Sequence, residues 1–156
     1  EAIMTIVGQD PTDRDSPLYK KYCRDLGYRM TMDAALDNIA LGCDAIVVGP
    51  FTREAENPAW LGKELARIEA AETAMDAIAV KALYVYLPEE EAYRQRLLNR
   101  NSALDRWKLK HWDEFRKSLK TREVRWPLPE ESILYLDNSG PSTEEKLALV
   151  EQFVDA

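Results

Sequence analysis

The chain has 156 residues, 46% of them hydrophobic and 31% charged, with a formal net charge of −7 and a pI near 4.9. That is enough chain for one domain with a core, and too acidic a chain to serve as a general nucleic-acid or bilayer surface, so any polyanion would have to be met locally. No apolar run approaches the roughly 18 residues of a membrane span, the opening EAIMTIVGQD lacks the basic-then-apolar layout of a secretion signal, and two cysteines are too few for a disulfide framework or a zinc site.

The expected compartment is therefore the cytosol, with Cys23 and Cys43, both in apolar surroundings, expected as reduced and buried thiols. His111 is the only histidine. Any catalytic triad or histidine metal site would rest on it alone.

In chain order, residues 1–7 have the pattern of a helix tail closed by Gly8, and PTDRDSP is a polar loop. Ser16 and Pro17 form a cap and first-position pair. The apolar positions Tyr19, Tyr22, Cys23, Leu26, Met30, Ala34 and Ile39 then predict one long helix up to Gly42, bent at Gly27. DAIVVG, residues 44–49, is an uninterrupted apolar run of the kind found in a strand buried on both faces of a parallel sheet. PFTRE follows at its carboxyl end, where ligands gather in open α/β sheets, so Thr52, Arg53 and Glu54 become candidates for a site. An ordinary strand-to-helix connection is the alternative.

Asn57 and Pro58 open a helix bearing Trp60, Leu61, Leu65 and Ile68, with an alanine-rich segment to Ala79 continuing or following it. VKALYVYL, residues 80–87, is a second strand. Pro88 starts a basic helix, broken by residues 99–105, before a second helix from Trp107 to Lys120. Residues 121–131, with Pro127 and Pro129, should be extended. SILYL, residues 132–136, is a third strand with DNSGP after it. Ser142 and Glu145 then form a capping box for a last amphipathic helix bearing Leu147, Val150 and Val154. Strands alternating with helices predict an α/β fold with a parallel sheet covered on both faces.

The stretch from Glu89 to Asp113 reverses the sign of the chain. It brings Arg94, Arg96, Arg100, Arg106, Lys108 and Lys110 within a few turns. Arg96 and Arg100, four apart, share a helix face, where two guanidinium forks could grip a phosphate or stack on a flat ring. A solvated helix balanced by Glu89, Glu90 and Glu91 is the plainer alternative.

The pieces DNIALGCDAIVVGPFTRE, YVYLPEEEAYRQRLLNRNSALDRWKLKHWDEF and LDNSGPSTEEKL, in that order, resemble the small P-loop kinases and phosphotransferases of the AAA-family ATP-binding type, relatives of gluconate kinase, chloramphenicol phosphotransferase and zeta toxin. The resemblance runs from about Asp13 to the end, and its most specific element is RLLNR followed by DRWKLKHWDE. It implies a P-loop NTPase-like α/β fold over residues 1–156, a three-layer parallel sheet with helices on both faces and a helical lid at about 94–120. ATP and magnesium would be its cofactors, with a nucleotide and a small-molecule acceptor as partners.

Carried over, Arg96 would stack on the base, Arg100 would contact phosphate, and Arg106 or Lys108 would enter as the lid closes; Arg100 and Arg106 would be the catalytic cations. Asp137 and Asn138 would edge the nucleotide site, and Arg53, Asp13 and Asp15 would meet the acceptor. The chain departs from the family in one respect: GxxxxGK[ST] cannot be formed by glycines at 8, 27, 42, 49, 62 and 140. The expectation is a chain shortened at its amino terminus, without the first strand and phosphate loop, and with an apolar sheet edge open to association, with itself or another protein. An inactive kinase-fold module acting by such association is the alternative function. A nucleic-acid site with Trp107, Trp112 and Trp126 as stacking platforms is disfavoured by the acidic remainder.

Overall fold

The computed structural model describes residues 4, 5, 8, 10, 16–68 and 78–156. Asp13, Asp15 and the alanine-rich stretch 69–77 lie outside the described residues. Two compact units are present: Glu1–Val48 with Tyr93–Leu119, and Gly49–Ala92 with Lys120–Ala156.

In the first unit, Ser16 accepts the N–H of Tyr19 at 3.1 Å and Pro17 takes the first position of α1, Pro17–Tyr22. The helix α2, Arg24–Ala40, follows directly. The joint falls at Cys23 (φ −115°), not at Gly27, whose N–H bonds regularly to the Cys23 carbonyl at 3.0 Å. Met32, Ala35 and Leu36, at helical spacing, are buried by α2. Gly42, in the left-handed region at φ +78°, closes it.

The strand expected at 44–49 does not form. Residues 43–48 carry no regular structure, and Ile46 and Val48 are 91% and 87% exposed. The composition is that of a buried strand, but a strand exists only through a ladder partner, and the described residues supply none. Cys43 is accordingly exposed and Cys23 half-buried, so neither is the buried thiol expected.

The basic region begins with α4, Glu90–Arg100, which ends at Asn101. Asn101 holds φ +46° and bonds its N–H to the carbonyls of Leu97 and Leu98. Asparagine tolerates that conformation, which explains the stop there. A 3₁₀ turn, Ala103–Asp105, leads to α5, Arg106–Lys110, and α6, Trp112–Phe115. The single helix expected from Trp107 to Lys120 is thus divided at His111 (φ −115°, ψ 43°).

The second unit holds α3, Trp60–Leu65, and a parallel pair, β1, Ala82–Tyr86, and β2, Ile133–Asp137. The register pairs Ala82 with Ile133, Tyr84 with Tyr135, and Tyr86 with Asp137. The fold is mixed α/β. Among the described residues the sheet has these two strands, against the three expected.

Ala55, Ala82 and Val124 form the core of this unit, packed by Tyr84, Trp126, Leu128 and Ile133. Tyr84 and Tyr135 lie side by side on one sheet face, ring centroids 5.5 Å apart. Their hydroxyls accept the N–H groups of Arg122 at 2.9 Å and of Val124 at 2.8 Å, fastening residues 121–125, which carry no regular structure, to the strand pair. The helix α7, Glu144–Asp155, is capped by Thr143, which accepts the N–H of Lys146 at 3.2 Å, and not by Ser142 as the sequence suggested. Leu147 and Val154 of α7 are exposed.

Candidate functional site

Two cations of the first unit, Arg100 and Lys108, meet on one acid. Between residues 93 and 111 there are six basic side chains and one acidic side chain, Asp105. Asp105 is 1% exposed. Arg100 donates its Nε at 2.8 Å and its Nη2 at 2.6 Å to Oδ2 of Asp105, while Lys108 Nζ lies 3.3 Å from Oδ1. Local chain geometry makes this meeting: the Asn101 stop turns the chain, Ser102 accepts the N–H of Leu104 to start the 3₁₀ turn, and Asp105 comes back under the end of α4. Leu97 is the buried residue of α4.

A carboxylate removed from water requires charge partners, and two cations with directed N–H groups supply them. The balance is not reciprocal. The Arg100 side chain remains 60% exposed and that of Lys108 23%. The acid is enclosed while the cation facing it still meets solvent.

Aromatic residues of this unit lie against three of its cations. Arg94 sits 5.8 Å from the Trp112 ring centroid, Lys108 5.6 Å from Phe115, and Lys20 5.6 Å from Trp107. Trp107 stacks on His111 with centroids 4.7 Å apart, and His111 Nδ1 is 3.0 Å from the Trp107 carbonyl, which places a proton on Nδ1. Trp107 and Trp112 are thus engaged by their own chain. Trp126, in the second unit, stacks on Trp60 at 5.4 Å.

Of the residues picked from sequence, Arg100 and Lys108 are brought together on Asp105, while Arg96 and Arg106 stand exposed on α4 and at the start of α5. Arg53, Asp137 and Asn138 belong to the second unit. Arg53 is exposed in the loop after Gly49, and its backbone N–H donates to the buried Glu54 carboxylate at 3.1 Å. Asp137 ends β2. The backbone N–H of Ser139, 2.7 Å from its Oδ1, holds its carboxyl below the usual 3.8, helped by the Ser139 hydroxyl and the charge of Lys146. The Asn138 N–H extends the ladder by bonding to the Tyr86 carbonyl at 2.9 Å.

The residue missed in the sequence is Asp105. Its spacing to Lys108 is a legible i, i+3 pair. Its pairing with Arg100 crosses a helix break, where spacing carries no signal.

Among the described residues no group of three or more His, Cys, Asp or Glu side chains comes together in a way that could hold a metal ion. No described helix is long and apolar enough to cross a membrane. No family model, curated protein or solved structure matches the chain.

Proposed function

We propose that this chain is the core of an ATP-dependent phosphotransferase acting on a small molecule, with the region of α4, α5 and α6 as a cationic lid that receives nucleotide phosphates. The observation that carries this reading is the fixing of Arg100 and Lys108 on the enclosed Asp105. Phosphoryl transfer needs charge neutralisation and alignment more than covalent chemistry, and a pre-set cation pair offers both. On this reading Arg96 packs on the base and Arg106 joins when the lid closes. The parallel pair β1 and β2 would be part of a wider three-layer parallel sheet, and magnesium would arrive with the phosphates.

Calorimetric titration of the chain with ATP and magnesium, beside Arg100→Ala, tests it. Saturable heat that weakens in the variant supports the lid assignment. Absence of heat at millimolar ATP, or equal binding by both proteins, refutes it for this chain.

A second reading, association without catalysis, is favoured by one observation. Ile46 and Val48 present apolar side chains to solvent in a segment with strand composition and, among the described residues, no ladder partner. Sedimentation over a range of concentrations tests it. A monomer at all of them excludes self-association, and loss of oligomers in Ile46→Lys would assign it to this segment.

A further inference from the structure

We infer that Asp105 is a positioning residue: it takes the inner edge of the Arg100 guanidinium so that the outer edge meets a terminal phosphate group. The inference rests on the phosphate-site reading above and states how that site is built. A guanidinium has five N–H donors in a rigid plane. Asp105 Oδ2 engages Nε and Nη2 on one edge, at 2.8 and 2.6 Å. What remains is the outer edge, Nη1 with the second hydrogen of Nη2, two parallel donors spaced for two oxygens of one phosphate.

The exposures fix the direction. Asp105, at 1%, has no room to follow solvent, and the Arg100 side chain, at 60%, reaches it. Lys108 holds the other carboxylate oxygen and keeps the local balance positive at two cations to one acid. Without the acid, Arg100 would regain its rotamers, and a ligand would have to immobilise it on binding.

Charge and positioning have opposite effects here, which makes the inference testable. Asp105→Asn and Asp105→Ala both delete the negative charge, but asparagine keeps an oxygen that can accept from Arg100. If charge alone matters, the two variants bind pyrophosphate equally and more tightly than the unaltered protein. If Asp105 positions Arg100, the alanine variant binds about two- to tenfold more weakly than the asparagine variant, the effect of leaving one long side chain to be ordered by the ligand. In an Arg100→Ala background that difference should vanish. Its persistence there would show a structural effect that does not pass through Arg100, and would overturn the inference.

If Asp105→Ala does not fold, the side-chain ¹⁵N resonances of Arg100 in the unaltered protein decide. The Nε–H should stay protected while the Nη signals move on adding pyrophosphate. An Nε–H exchanging like that of free arginine overturns the positioning role while leaving phosphate binding intact. Failure of the unaltered protein to bind either pyrophosphate or ATP would instead remove the phosphate-site reading, and this inference with it.

Discussion

Trp126 donates its indole N–H to the carbonyl of Glu54, 72 residues away, at 2.8 Å. The Arg125 N–H bonds to the carbonyl of Ala55 at 2.8 Å alongside it. Those two bonds tie the loop after Gly49 to the irregular segment before β2, and Ala55 and Val124 meet in the core between them. Trp126→Phe keeps an aromatic ring against Trp60 but leaves the Glu54 carbonyl without this donor. We expect a loss of about 1–2 kcal/mol, read as a lower urea midpoint at unchanged slope.

Tyr84→Phe and Tyr135→Phe should each lower stability by about 1 kcal/mol, because each removes the acceptor of one backbone N–H. The specific sign is local. Hydrogen exchange at Arg122 should quicken in the first variant and at Val124 in the second. Equal protection of both amides in both variants would mean that the hydroxyls do not hold the segment.

Both tyrosines were legible as strand residues, but the pairing that puts their hydroxyls over alternate amides depends on the register of two strands 51 residues apart, counted from Ala82 to Ile133. Periodicity within a strand says nothing about register between strands. For a related reason the run at 44–49 reads as a strand and is not one among the described residues. Val47 and Val48 report preference for an extended backbone, whereas pairing is a property of what lies beside them. Helix ends were read better, since Ser16, Pro17 and Gly42 act locally, by a side-chain cap, a fixed φ and a positive φ. The Cys23 joint and the division at His111 have no comparable residue signature. In the candidate site the cations were legible as a charge reversal, while the acid that organises Arg100 was not, because the Asn101 turn resets the spacing.

Glu56 accepts from Lys120 at 2.6 Å and from Arg122 at 2.7 Å. The Lys120 hydrogen bond, with Arg122 and both charges, holds its carboxyl below the usual 4.5 despite some loss of hydration. A pKa lower in the folded than in the unfolded chain contributes stability above the unfolded value, lost as pH falls through the folded one. Glu56→Gln should therefore melt earlier than the unaltered protein at pH 7. The two melting temperatures should converge as the pH drops below about 4.5, the unperturbed value. A gap that persists at pH 2 would contradict the ionic origin. Added salt should narrow the gap at neutral pH, since Glu56 and Lys120 both reach solvent.

Thr143→Ala removes the side-chain acceptor at the start of α7 and should cost about 1 kcal/mol, while Ser142→Ala should change stability little. Thermal melts of the pair check the cap directly. The opposite ranking would restore the capping box that Ser142 and Glu145 suggest.

Phe51 holds φ +41°, a conformation in which a side chain costs roughly 1–2 kcal/mol. Its ring stands edge-on to Trp60 at 5.5 Å and to Trp126 at 6.3 Å, contacts worth about 0.5–1.5 kcal/mol each. Together the contacts, about 1–3 kcal/mol, are of the same order as that cost, so the loop that carries Arg53 is set by a latch whose spring is the main chain and whose catch is an aromatic ring. Glycine there would relax the spring and release the catch together, turning a defined loop into one free to take the shape of whatever it meets.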